Sequence, residues 1–575
     1  MTNANYTPDP TRQKGRAPPA MRPTLTGTRH MVVAGHHLAA HAAFDILEEG
    51  GNAVDAGVAA AIVMSVVQSE FVNFAGVSPI MIRMADTGEV VTIDGLGWWP
   101  RAASLRHLVE DHGGTIPPGL LRTVVPASPC AWITALEQFG TVSFADVTES
   151  AIRFAAEGFV MYPIMAELIE TYAAGYERWP ANAEIYLPSG HAPRVGELFV
   201  QTDLASTMQH MVDEERAASG SRQAGLAAAR RAFYEGDIAT AICAYHAENG
   251  GWLTREDLAD YHVEVEPAVS AEFASRTVFA CGPWCQGPSL LMFLNLLAND
   301  DLAALGHNTT AYVHTLVEAM KLAFADRERH FADPRYSNVP LAHLLSCDYA
   351  AHRRQLINPE RAAVALPAAG NVDVDDPTSA LDTSYTAVVD RHGNAFSCTP
   401  SDTCNSTPII PGTGIAPSSR GSQSWAVAGH PCAVAPGHRP RLTPNPAMVV
   451  ADEGRFVMPF GTPGGDVQTQ AMLQTLLNLF VFDMQPQEAV EAPRFATYSF
   501  PGSFEPHATH PNRLNLEARI GQSIGASLSV MGHDIDWWDR YTWRAGGMGL
   551  VAADARRGVL EAAADPRRAA YALGW

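Results

Sequence analysis

Asp382-Thr383-Ser384-Tyr385-Thr386-Ala387-Val388-Val389-Asp390, followed by Gly393-Asn394-Ala395, is the stretch on which the reading turns. Tyr385–Asp390 is strand-like, Arg391-His392-Gly393-Asn394 supplies a turn, and Ala395–Thr399 (AFSCT) reads as the return strand, which predicts a hairpin. Just upstream, Pro359–Asp382 (PERAAVALPAAGNVDVDDPTSALD) is Ala, Pro and Asp without apolar periodicity. That is the chemistry of an exposed, easily cut linker. A Thr hydroxyl is a poor nucleophile because its pKa lies far above neutral. It becomes a useful one as the first residue of a chain, where its own α-amine, with a pKa of about 7.7–8.0, serves as the base. Cleavage before Thr383 would create that amine. From this stretch alone the plainer reading, a β-branched residue opening a strand, is the better supported of the two.

Beyond the hairpin, Ser401–Ser424 is rich in Pro, Gly and Ser, a long irregular loop of the kind that often carries function. Phe456–Phe460 reads as a strand ending in Gly461-Thr462-Pro463-Gly464-Gly465-Asp466, with a helix over Gln468–Phe480. Gly-Gly between strand and helix exposes backbone N–H groups that can hold an anion or a tetrahedral oxyanion. A plain turn is the alternative, and the Lys and spacing of a phosphate-binding loop are absent. On the N-terminal side, His37–Glu49 has helical periodicity and ends at Gly50-Gly51. Asn52 then caps an Ala/Val-rich helix that must be buried on most sides. Ile80–Met84 and Glu89–Ile93 read as strands, residues 130–260 as mostly helical, and Asp213–Arg231 as a solvated helix or linker. Residues 1–28 are polar, Pro-rich and basic and read as a disordered arm, without the apolar core of a secretory signal.

The 575 residues carry a formal net charge of −22, which argues against nucleic-acid or anionic-membrane partners. No stretch of about 18 uncharged apolar residues is present, the best being Val58–Val67, and the expected location is cytoplasmic. Eight Cys make no disulfide scaffold, and Cys281 and Cys285 are spaced one residue too far for a zinc-ribbon pair. His37 and His41, beside His36, share a helix face but read as structural histidines. Gly521-Gln522-Ser523-Ile524-Gly525 matches the nucleophile-elbow pattern G-x-S-x-G. Its acid and histidine would have to come from residues such as Asp534 and His533, with no strand–helix units left to carry them.

Several segments together resemble the γ-glutamyltranspeptidase family of N-terminal-nucleophile hydrolases, over most of residues 30–575. They are His30–Ala34 through Gly50-Gly51-Asn52-Ala53-Val54-Asp55-Ala56, Ala151–Phe159, Phe233–Gly236 and Gly251–Leu258. The Asp382–Asp390 stretch, Arg439-Pro440, Gly461–Gly465 and Ala492–Phe495 complete the set. The resemblance reverses the local weighting of Thr383. It implies an α+β fold, the four-layer αββα sandwich, made as a precursor that cuts itself between Asp382 and Thr383. A large subunit over 29–382, ending in a processing linker at 359–382, and a small subunit over 383–575 would result. Thr383 would be the nucleophile, Ser401 a hydroxyl bonded to it, and Gly464 and Gly465 the oxyanion donors. No cofactor is implied. The implied partners are a small-molecule amide and the two subunits for each other, with a dimer of such heterodimers among the assemblies allowed.

The departures lie in substrate binding. The family's Arg for a γ-glutamyl carboxylate is replaced by Leu96, and its acid for the α-amine falls near Ser422. Its Ser-Ser pair becomes Leu442-Thr443, and its Gly-rich loop becomes Asn73–Ser78. Losing a charged partner removes a few kcal/mol of recognition. Trp98, Trp99 and Trp425 suggest a more apolar acyl pocket, and Arg420 or Arg439 is a candidate to hold a carboxylate in another geometry, unless either is a structural ion pair. The reading is a self-cleaving Thr amidohydrolase or acyltransferase acting on a small amide other than a standard γ-glutamyl compound. Cephalosporin-type acylases and oxamate-type amidohydrolases are the nearest comparisons. A genuine γ-glutamyltransferase acting on glutathione is the alternative, and a poorly processed, non-catalytic binding protein the second.

Overall fold

The computed structural model describes residues 20–364, 366 and 383–575. The hairpin forms as the sequence predicts: Thr386–Val389 pairs antiparallel with Ala395–Cys398, Val388 opposite Phe396. All eight of these residues are buried, because the hairpin lies at the centre of a seven-stranded sheet. Met31–Ala34 and then Tyr571–Gly574 flank it on one side. Ile80–Arg83, Val90–Ile93 and Val265–Pro267 follow on the other. Met31–Ala34 thus sits between two strands from beyond Thr383. A chain cut before Thr383 would remain one sheet.

A second seven-stranded sheet runs Leu25–Gly27, Val559–Ala564, Gly549–Asp554, Phe456–Gly461, Ala447–Ala451, Arg276–Ala280, Val269–Phe273. Side chains alternate between the faces of a strand. Met31, Val33, Ala387 and Val389 therefore meet Met448, Val457, Val551 and Ala562 between the sheets. Val32, Ala34, Val388 and Phe396 point outward to the helices His37–Glu48 and Ala53–Val67. The helices Gly287–Leu297, Thr310–His330 and Gln468–Phe480 cover the second sheet. These are the four αββα layers. Both faces of the central strands are apolar, so they show no polar alternation.

The Gly-Gly-Asn-Ala-Val-Asp-Ala run has a clear local purpose. Asn52 and Asp55 form a reciprocal capping box at the Ala53–Val67 helix, all 15 residues of which are buried. The Asp55 carboxylate also accepts from Thr141 N (2.8 Å) and Oγ1 (2.7 Å), and Asp390 Oδ2 accepts from Ala53 N at 3.0 Å. The capped end is thereby tied to the hairpin turn. Gly57 lets this helix lie on the sheet, since a Cβ there would meet the Phe396 ring at 2.1 Å.

Two expectations need correction. The arm expected over 1–28 is seated at its C-terminal end. Leu25–Gly27 is an edge strand, and the N–H groups of Met21 and Arg22 donate to the Glu491 carboxylate at 2.6 and 3.1 Å. Residues 1–19 lie outside the described residues, as does most of 359–382, Asp382 included. Asp213–Arg231 spans parts of two packed helices, Thr202–Ala217 and Arg222–Tyr234, which bury Leu204, Met208 and Met211, and Leu226 and Phe233. Glu215 is buried because its carboxylate caps the N-terminus of the helix Phe144–Glu157, accepting from Phe144 N and Ala145 N at 2.8 and 2.7 Å. The elbow pattern that the sequence leaves without supporting units forms no elbow: Ser523 is exposed in the first turn of the helix Gln522–Val530, and His533 Nε2 is 2.8 Å from His314 Nδ1.

His36 is an N-cap whose ring accepts from Leu38 N, and His41 pairs with Asp45. The eight cysteines are free thiols. Among the described residues, no helix is long and apolar enough to cross a membrane.

Candidate active site

Thr383 opens the central hairpin, 1% exposed and bridged antiparallel to Ser401. Its Oγ1 lies 2.9 Å from Ser401 Oγ. Gln468 Nε2 donates to the same Oγ1 at 3.4 Å, and Arg568 Nη1 to the Thr383 carbonyl at 3.5 Å. Ser384 is pinned by its N–H to Pro400 O (3.0 Å) and its hydroxyl to Gln68 Oε1 (2.6 Å). Both Thr383 and Ser384 are therefore held by side chains and backbone of the folded body.

Ser401 is held in turn by the loop that the sequence leaves irregular. Arg420, on a short 3-10 turn and fully buried, donates from Nη2 to Ser401 Oγ. Asp402 accepts from Ser418 Oγ (2.6 Å), Ser419 N (3.1 Å) and Ser419 Oγ, and lies 3.8 Å from Arg420 Nε. Farther along, Asn182 bonds Cys404 O, Thr407 O and Ile409 N at 2.6–2.9 Å. Side chains thus satisfy a buried loop that lacks regular ladders.

The second element is the turn after Phe456–Gly461. Gly464 and Gly465 have φ of +127° and +55°. Thr462 Oγ1 fixes the turn, donating to Pro463 O and accepting from Gly547 N, both at 2.8 Å. Among the described residues neither the Gly464 nor the Gly465 N–H donates a backbone hydrogen bond. Pro463 shares a small cavity with Thr383, Ser384, Gln68 and Arg568. Gly464 and Gly465 line the next one, about 200 Å³, whose walls include Tyr172, Phe500, Glu505, Arg513, Trp538 and Trp543.

The expected substrate-binding residues divide. Arg420 is beside Ser401, whose hydroxyl meets that of Thr383. Leu96 is buried in an apolar cluster with Val77, Trp284 and Leu442. Ser422 bears no charge, but its carbonyl accepts from Glu505 N (2.7 Å) and so anchors the cavity wall. Thr443 Oγ1 accepts from Gln423 Nε2 (3.0 Å), and its carbonyl shares Gln286 Nε2 with Gly465 O, both at 2.9 Å. Arg439 is corrected: its two Nη atoms face the buried carboxylates of Asp94 (2.6 Å) and Asp333 (3.0 Å), which makes it a cation of the fold rather than a substrate clamp. The tryptophans are corrected too. Trp99 is core, Trp98 lies edge-on to Tyr261, and Trp425 is stacked between His430 and His507.

A sequence profile for the family described as Gamma-glutamyltranspeptidase matches residues 39–575. The chain belongs to that family. It is accordingly an amidohydrolase or acyltransferase of the N-terminal-nucleophile class. It is 33% identical over 543 residues to the Acylase ACY 1 proenzyme of Pseudomonas sp. (strain V22), covering 92% of this chain and 90% of that one. To the Glutathione hydrolase-like YwrD proenzyme of Bacillus subtilis (strain 168) it is 30% identical, covering 96% and 100%. The crystal structure of cephalosporin acylase from Bacillus halodurans superposes with a TM-score of 0.83 at 27% identity, covering 99% of each chain.

This family member surrounds Thr383 with residues that the sequence did not single out. Gln68 comes from the end of a buried helix, Gln468 begins the helix after Gly-Gly, and Arg568 lies near the C-terminus. The position of Gln468 directly after the turn was the one available signal. Elsewhere, His314, Glu318 and His533 could together offer three metal ligands. Lys321 Nζ, 2.8 Å from Glu318 Oε1, already balances that carboxylate.

Glu505 is the titrating wall of the larger cavity. Burial pushes its carboxyl up from 4.5 to about 7, against the opposing pull of the Arg122 guanidinium and an N–H bond from Ile116. His507, 3.7 Å away, is itself pushed down to about 4 by burial and is neutral there. The folded chain keeps a proton on Glu505 that the unfolded chain releases. The resulting stability is full below about pH 4.5 and is lost as pH rises through about 7, a swing of roughly 2–3 kcal/mol. Glu505→Gln should therefore flatten the fall in denaturation midpoint between pH 5 and 8 and be the more stable protein at pH 8, as denaturant titrations at both pH values would show.

Proposed function

We propose that Thr383 is the nucleophile of a self-cleaving amidohydrolase or acyltransferase. The observation that carries this is the Thr383 Oγ1–Ser401 Oγ contact of 2.9 Å at the start of the central strand. In the precursor, Thr383 Oγ attacks the carbonyl carbon of Asp382. The Asp382–Thr383 C–N bond breaks, the hydroxyl proton ends on the departing nitrogen, and an ester remains. Water hydrolyses that ester, leaving an Asp382 carboxylate and a Thr383 α-amine.

In turnover the α-amine takes the Thr383 hydroxyl proton as Oγ attacks a substrate amide. The N–H groups of Gly464 and Gly465 are the proposed donors to the tetrahedral oxyanion. The ammonium returns its proton to the leaving amine, and an acyl ester on Thr383 remains. Water or an acceptor amine then attacks the ester, and Thr383 recovers its proton. These steps ask for no cofactor.

The substrate proposed is a small amide outside the γ-glutamyl class. Support comes from the acylase relatives and from Leu96, packed among apolar side chains at the position of the family's carboxylate-binding Arg. The loss of one charge-assisted contact is worth about 2–3 kcal/mol, or roughly 30- to 150-fold. Purified enzyme given γ-glutamyl and simple N-acyl anilides side by side should show kcat/KM lower for the γ-glutamyl compound by at least that factor. A preference for the γ-glutamyl anilide would restore the glutathione-hydrolase reading.

A further inference from the structure

We infer that Arg420 is a positioning residue that holds the Ser401 hydroxyl against the Thr383 hydroxyl. The inference rests on Thr383 being the nucleophile. A guanidinium can only donate, whereas a hydroxyl has one proton and two lone pairs. Ser401 Oγ stands between Arg420 Nη2 and Thr383 Oγ1. Its lone pair toward Arg420 is an acceptor. The positive charge beside it draws electron density from the oxygen, which makes a second acceptance costly and the O–H a stronger donor. Arg420 thereby fixes the Ser401 oxygen 2.9 Å from Thr383 Oγ1. Gln468 Nε2 points a donor at the same Thr383 oxygen. The Thr383 hydroxyl is held between these two side chains.

The surroundings hold Arg420 to this task. Asp402, next to Ser401, has φ of +118°, outside the regions open to a residue with a Cβ. Such strain persists where neighbours over-determine a conformation. Here the neighbours are Ser418 and Ser419, whose bonds aim the Asp402 carboxylate at the Arg420 side chain. The Phe504 ring lies 5.4 Å from the guanidinium carbon.

Self-cleavage separates this role from that of a hook for a substrate's carboxylate, because cleavage involves no outside substrate. The full-length precursors of Arg420→Met, Arg420→Lys, Ser401→Ala and the two double variants would be followed by intact mass for cleavage rate, and by kcat and KM on the best amide. Arg420→Met is expected to slow cleavage and kcat about 10- to 100-fold, with KM within about 3-fold. Arg420→Lys should recover part of the loss. In the Ser401→Ala background, removing Arg420 should cost less than about 3-fold more. Cleavage at the wild-type rate with a raised KM would make Arg420 a substrate hook and overturn the proposal. Full additivity in the double variants would overturn it too. If Arg420→Met does not fold, the Arg420→Lys and Ser401→Ala cycle reads the same coupling. A Thr383→Ala precursor that still cuts itself would instead refute the nucleophile, a separate outcome.

Discussion

Thr383→Ala is expected to remain a single uncut chain and to lose amide turnover by at least ~10³-fold, the scale seen when a nucleophile is removed. No other described hydroxyl can replace it by a simple rotation: Ser384 is bonded to Gln68 and Ser401 to Arg420. The substitution also leaves the buried Ser401 hydroxyl without its neighbour, at a cost of about 1–3 kcal/mol in stability. The variant should therefore fold with a lowered denaturation midpoint. Thr383→Ser keeps the oxygen but loses the methyl group that restricts its rotamer. It should cleave and turn over, more slowly than the parent. Electrophoresis after timed incubation, with a continuous amide assay, reads both.

Gly464→Ala is expected to lower kcat about 10²- to 10³-fold, the usual cost of one oxyanion donor, with KM changed only a few-fold. Space does not forbid the methyl group, since its nearest neighbour would be the Gly546 Cα at 3.5 Å. Conformation does. At φ of +127° a Cβ costs about 1–3 kcal/mol, and the chain can escape that cost only by turning the 463–464 peptide. Turning it swings the Gly464 N–H away from the position proposed for the oxyanion. The protein should still fold, because the bond from Gly547 N to Thr462 Oγ1 remains. A Gly464→Ala enzyme with wild-type kcat would remove this turn from the catalytic account.

How far these sites were legible in the sequence depends on how local their physics is. The hairpin, the Asn52 cap and the strand–Gly-Gly–helix turn each depend on neighbours within a few residues, and each forms where the sequence predicts it. Ser401 could be placed only through the family resemblance, because its contact with Thr383 depends on how the loop crosses the strand end. Arg439 was misplaced for a related reason. A guanidinium's residue type does not say which carboxylate will neutralise it, and Asp94 lies 345 residues away. The aromatic cavity wall escaped notice because Phe500, Trp538 and Trp543 come from separate loops and strands with no shared period. The two helices around Asp213–Arg231 were hidden by charges that belong to caps and exposed faces, with only an Ala- and Met-rich stripe to mark their buried sides.

The intact mass of the purified wild-type protein tests the central claim most directly. Two polypeptides are expected that meet between Asp382 and Thr383, the smaller running from a free Thr383 α-amine to Trp575 and staying associated with the larger through their shared sheet. A folded chain that stays whole on long incubation, or one cut at another bond, would contradict it.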